Sequence, residues 1–248
     1  MLEKIREITN SKSFHIVILM IIVTVILAIG GITILNYAVE GETNMPFKLT
    51  KISIISSEEG KDKEATDAKW AFDVYQPNDI YLYIEKNHNY KKTEAIKTIS
   101  VDNIEIESKN KDNINIYKPD SEGQNSIFKN TDENKTETIQ YTGAMTSSFK
   151  DMQISNQGGI IVFRCSNDNI AEYKSDKEEV NHTELLKELE IKNEDLTINL
   201  KFNLTINLEN GNAYKTTISL DLPKGDVVNN GTTSTEITDV KDFVFKRV

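Results

Sequence analysis

Between Phe14 and Leu35 the chain reads FHIVILMIIVTVILAIGGITIL, 22 residues without an Asp, Glu, Lys or Arg. At about 1.5 Å rise per residue this run makes a helix of roughly 33 Å, enough to cross a hydrocarbon core about 30 Å thick. It is read as a membrane span, so whatever follows it works tethered to a bilayer. Asn36, Tyr37 and Glu40 mark the exit, with Tyr37 suited to the headgroup level.

The flanks give the orientation. Lys4, Arg6 and Lys12 precede the span against Glu3 and Glu7, whereas the far flank opens with Glu40 and Glu42 and has no basic residue until Lys48. The excess of cations on one side places the N-terminus in the cytoplasm and the bulk of the chain outside. A cleaved signal peptide would have an apolar region of about 7 to 15 residues followed by a small-residue site. This run is longer and no convincing A-x-A site follows, so an uncleaved anchor is expected.

The expected organisation is a tail (1–13), a span (14–35), a juxtamembrane linker (36–45) and an extracytoplasmic domain (46–248). Such a domain is large enough for a real hydrophobic core. It holds a single cysteine, Cys165, so no intramolecular disulfide staples it and the core alone must hold the fold. Richness in Asn, Lys and Ile beside cysteine poverty suits a low-GC Gram-positive bacterium. Residues 36–248 carry 26 basic and 37 acidic residues. That acidic balance excludes a nucleic-acid partner, which needs a concentrated basic surface.

From Pro46 onward the hydrophobic period is two, the mark of strands. Phe47 and Leu49, then Ile52 and Ile54 after a slip of one residue, predict a first strand with a bulge near Thr50 and Lys51. The charged run Glu58 to Lys69 reads as a solvated loop. Trp70, Phe72 and Val74, then Ile80, Leu82 and Ile84, predict the two arms of a hairpin turning at Gln76-Pro77-Asn78-Asp79. Its other face carries Tyr75, Tyr81 and Tyr83, flat amphipathic rings suited to stacking on a sugar or a partner peptide, and these three are the candidate binding residues.

Strands are predicted over Ile96 to Ile106 and Ile114 to Tyr117. Residues 118–137 then become strongly polar, which makes this stretch a surface excursion or the place for an internal domain boundary. Thr138 to Thr142 reads as a strand, and Ile160 to Cys165 as a central strand buried on both faces. Asn181 with Glu184 has capping-box spacing ahead of a short helix through Leu185, Leu186 and Leu189. From Leu196 to Leu208 apolar and polar residues alternate without error, and Tyr214 to Leu222 repeats the rule after Asn210-Gly211. A last strand is predicted near Val240 to Phe245. One-sided strands with so little helix call for a second sheet as cover, so the fold expected is a mostly β, antiparallel sandwich, with an immunoglobulin-like arrangement as one candidate.

Motifs for chemistry are missing. There is no G-x-S-x-G, H-E-x-x-H or P-loop, and S-x-x-K at Ser126–Lys129 and Ser147–Lys150 lacks its partner motifs. The sharpest catalytic alternative is an anchored transpeptidase of the sortase type, built from Cys165, His88 and Arg164 or Arg247. Against it, Cys165 closes I-V-F-R-C rather than T-L-x-T-C, and no Arg follows before Arg247. The expectation is therefore a non-catalytic protein with no catalytic residue, cofactor or metal site, which binds an envelope protein or glycan; a subunit of a membrane complex is a further alternative.

Overall fold

The computed structural model describes residues 12–39, 45–64, 67–120, 127–148 and 151–248. Lys4, Arg6, Glu40 and Glu42, on which the orientation rests, lie outside the described residues, as do Ser126 and Lys150. Helix α1 (Lys12–Val39) covers the expected span and is longer by a turn at its C-terminal end. Its window His15–Ile32 is apolar, long enough to cross a membrane, and nowhere buried against the chain. Its one hydroxyl in mid-course, on Thr24, is satisfied by donating to the Met20 carbonyl at 2.8 Å.

The rest is mostly β. In chain order the strands are β1 (Phe47–Ser57), β2 (Glu59–Asp62), β3 (Trp70–Lys86), β4 (Ile96–Ser108), β5 (Ile114–Tyr117), β6 (Ile139–Gly143) and β7 (Met152–Ile154). They continue with β8 (Gly158–Ser175), the short helix α2 (Leu185–Glu188), β9 (Ile198–Leu208), β10 (Ala213–Leu222), the single turn α3 (Val227–Asn230), β11 (Thr232–Ile237) and β12 (Lys246–Arg247). Two six-stranded sheets result. The first runs β11-β1-β3-β8-β5, with β2 also on β3, and the second runs β12-β10-β9-β4-β6-β7. All ladders are antiparallel except β6 with β7.

The sheets face each other across one apolar core. Phe163 of β8 and Phe202 of β9 meet edge to face with ring centroids 5.4 Å apart, and both are fully buried. Strand β9 buries every second residue from Ile198 to Leu208, as its alternation requires. Tyr141 of β6 ties the sheets together at the open side of β8, since its hydroxyl donates to the Val162 carbonyl at 3.1 Å and accepts the Val162 N–H at 3.2 Å. A smaller cluster lies at the far end, where Phe72 and Tyr173 of the long strands pack with Leu185, Leu186 and Val227.

Several expectations are corrected. The hairpin over residues 70–84 is one continuous strand, β3, with a register shift at Val74/Gln76. Pro77 is tolerated because it falls in a gap. On that side β1 pairs up to Ser56↔Asn78 and β2 resumes at Glu59↔Tyr75, so no ladder bond is asked of residue 77. Gln76 and Asn78 turn inward, where Asn78 Nδ2 donates to the Cys165 carbonyl at 3.1 Å and Ser56 Oγ donates to Asn78 Oδ1 at 2.7 Å. Within the presumed loop 58–69, Glu58 is buried and residues 59–62 form β2.

The capping box does not form either. Asn181 Oδ1 accepts from its neighbour Thr183, while the N–H of Leu186 at the start of α2 is satisfied by Glu58 Oε2 at 3.0 Å. Strand β8 is not buried on both faces, because Ile160 is exposed and Val162 half-buried. Val240 to Phe245 is not a strand; the last strands are β11 and β12. The bulge in β1 stands where expected, between Leu49 and Lys51.

The two faces of β9 should answer differently to mutation. In urea melts of a fragment spanning 45–248, Phe202→Ala is expected to cost about 3 to 5 kcal/mol, the range for a fully buried aromatic. Asn203→Ala, on the outer face with one hydrogen bond from Thr217, should cost under about 1 kcal/mol. Similar losses at both positions would contradict a one-sided sheet.

Candidate functional site

Alternation along β3 and β8 leaves one set of side chains on the outer face of the first sheet. There the pairing Asp79↔Arg164 sets an acidic and a basic residue side by side. Arg164 is 4% exposed, so its charge requires partners. It has them: Nε and Nη2 donate to the two carboxylate oxygens of Asp79 at 2.6 and 3.1 Å, and Nη1 donates to Asn130 Oδ1 at 3.1 Å. Glu59 on β2 lies 3.5 Å from Nη2, and the Phe128 ring covers the guanidinium with its centroid 4.9 Å away. Burial opposes the arginine's charge, but Asp79, Glu59 and Tyr75 raise its pKa above the ordinary value. Burial also pushes the Asp79 carboxyl up, and the guanidinium pulls against that.

A second hub adjoins it. Asp168, at the irregularity of β8, accepts from Tyr117 at 2.6 Å, Asn115 at 2.8 Å, Asn130 at 3.0 Å and Ser166 at 2.7 Å. Asn130 therefore bridges the arginine and the aspartate. Burial together with Asp168 pushes the Tyr117 hydroxyl above its ordinary range, and burial together with the Glu59 it donates to does the same for Tyr75. Both stay protonated donors.

The wall comes from residues 127–137 of the polar stretch. Its described parts fold back along β5, with Lys118 N–H donating to the Asn134 carbonyl at 2.9 Å and Thr136 N–H to the Ile116 carbonyl at 3.0 Å. Between this wall and β2, β3 and β8 opens a cleft of about 480 Å³. The network forms its floor, and Lys61, Thr131 and Asn169 stand at its mouth, all exposed. Carboxylates, amides and tyrosine hydroxyls held in fixed positions suit hydrogen bonding to a polar, many-hydroxyl ligand.

Of the three candidate tyrosines, the structure brings only Tyr75 into this cleft. Tyr81 and Tyr83 lie further along the same face, half-buried, in rows with Ser53 and Val162 and with Lys51 and Ile160. Lys51 Nζ sits 4.3 Å from the Tyr83 ring centroid. The catalytic alternative finds its residues apart. Cys165 points inward and is fully buried, with its thiol pushed up to about 12 by burial, while Arg164 points outward. Cys165 pairs with Asn78, whereas β3 ends at Lys86, eight residues further along or roughly 26 Å at strand rise, and exposed His88 lies in the turn beyond that end.

Sequence reasoning missed Asp79, Asp168, Asn115, Asn130 and Tyr117. One signal was readable: a lone arginine in the apolar run I-I-V-F-R-C must find an anion. The chain matches no protein-family model, no curated protein and no solved structure.

The Arg164–Asp79 pair yields a double-mutant prediction. Arg164→Met alone should cost about 3 to 5 kcal/mol in urea melts because it strands a buried carboxylate, and adding Asp79→Leu should recover most of that loss. Additive losses would mean that the two residues act independently.

Proposed function

We propose that this protein is a single-pass, membrane-anchored β-sandwich whose domain lies outside the cytoplasm and binds a cell-envelope glycan, without catalysis, in the cleft above Arg164. The observation that carries this reading is the pre-set polar floor. Arg164, Asp79, Asp168 and Asn130 hold one another in place, so Tyr75, Tyr117 and Asn115 present fixed hydroxyl and amide groups beside a space of about 480 Å³. Preorganised polar groups and ring faces are what a sugar needs, because its hydroxyls pair one by one and its flat side stacks.

The position of the cleft supports the same reading. Tyr75 lies 11 residues before Lys86 on β3, roughly 35 Å at strand rise, and Lys86 pairs with Phe47 at the tethered end of β1. The cleft thus opens far from the tether. The inward, alkaline Cys165 thiol disfavours nucleophilic chemistry of the sortase type.

The test is co-sedimentation of the fragment 45–248 with the host's insoluble wall polysaccharide. Wild type should be retained, and Lys61→Ala with Asn169→Ala, both at the mouth and outside the buried network, should weaken retention about tenfold, or roughly 1.4 kcal/mol. No retention of wild type would contradict a glycan ligand. In that case, stoichiometric capture of one protein from a photo-crosslinking residue at position 131 in intact cells would assign the cleft to a protein partner.

A further inference from the structure

The end of the domain next to the tether has the opposite charge to the rest. From Val39, the last residue of α1, to Met45 there are six residue steps, which reach roughly 20 Å when extended. The end of the domain where β1 starts therefore lies within that distance of the helix end. Several segments meet there. Asn87 N–H donates to the Pro46 carbonyl at 2.8 Å, Ile96 N–H to Asn156 at 3.0 Å, Glu209 N–H to Ala95 at 3.0 Å, and Val248 N–H to Ala213 at 3.0 Å.

These segments bring cations together. Lys48 and Lys86 come from the paired ends of β1 and β3, and Lys91 and Lys92 from the exposed loop that follows. Lys97 opens β4, and Lys241 stands among residues that pack on the start of β1. Lys215 of β10 lies directly opposite Lys246 of β12, with Arg247 beside it. Like charges in register on neighbouring strands repel unless an anion compensates them. Glu85, Glu94, Glu209, Asp239 and Asp242 are the acidic residues of the same segments, so nine basic residues face five acidic ones in a part of the chain that otherwise runs strongly acidic.

The pairing pattern differs as well. Among the described residues, none of these eight lysines takes part in an ion pair, whereas ten of the basic residues elsewhere in the domain do. Arg247 bonds Asn212. Exposed Met145 and Val244 lie at the same end, an apolar complement to the charge.

We infer that this rim is a docking surface for anionic lipid headgroups, which holds the domain against the bilayer it is tethered to, with the cleft at the far end. The chemistry is electrostatic: on the outer leaflet that the domain faces, each cation close to anionic headgroups gains from their surface potential, within a Debye length of about 8 Å at physiological salt. Here the tether itself carries Glu40 and Glu42, so the folded rim must supply the attraction. The inference rests on α1 being a span, and not on what the cleft binds.

The test uses the full chain reconstituted into lipid nanodiscs of phosphatidylcholine alone, or with about one third phosphatidylglycerol. A brief pulse of a small amine-acylating reagent is read out by mass spectrometry. Lys91, Lys92 and Lys246 should label at least about threefold more slowly in the anionic discs, and the difference should shrink markedly near 0.5 M salt, where the screening length falls to about half its physiological value. Lys187 and Lys192, exposed and unpaired at the far end, should label equally in both. Equal labelling of the rim in the two compositions, or protection that persists in neutral lipid, would overturn the docking surface while leaving the anchor intact. A chain recovered free of the discs would overturn the anchor and this inference with it.

Discussion

The fold depends on the mutual burial of two sheet faces. With one cysteine and no disulfide, the domain has only its core to offset chain entropy. That core lies where the inner faces of β3, β8 and β1 meet those of β9, β4 and β10, around the Phe163–Phe202 contact. Period-two alternation then dictates the rest. Every residue committed inward sends its neighbour outward, so the outer faces and the ends of the strands carry the polar chemistry.

On the outer face of the first sheet, the sequence places an arginine where the strand requires a side chain to lie flat under the polar loop. A buried ion pair seldom contributes net stability over apolar residues of similar volume, because desolvation offsets the attraction. Its effect here is geometric. Asp79 holds the guanidinium on one side and Asn130 on another, and Asn130 in turn holds Asp168, so the wall of the cleft is bonded to its floor. Residues 127–137, which form no strand, thereby acquire a fixed position, which a binding site needs.

Legibility in the sequence follows the range of the interactions. The β9–β10 hairpin was readable because its signal is local: seven alternations and an Asn-Gly turn. So was the β1 bulge. Strand β3 reads as a hairpin in the sequence because Gln76-Pro77-Asn78-Asp79 has turn composition, and only the neighbouring strands show that the proline falls between the ends of β1 and β2. Spacing assigns the cap of α2 to Asn181, whereas Glu58, 128 positions from the Leu186 N–H it accepts from, provides it. The cleft was least legible, since Tyr75, Tyr117, Asn130 and Asp168 meet only through strand order, and strand order is set by non-local pairing. Exposed-face parity points to Tyr75, but the same parity points to Tyr81 and Tyr83 as well, and the register shift and Pro77 separate them from it along β3.

The central claim is an anchored domain that faces away from the cytoplasm. The direct measurement is proteolysis of intact protoplasts carrying the full chain with a tag at its N-terminus. The account predicts that added protease degrades residues 46–248 while the tag and the tail remain protected, and that the mature protein keeps Met1 to Leu35. Protection of the domain until the membrane is permeabilised would contradict the orientation, and a mature N-terminus near Gly31 would contradict the anchor.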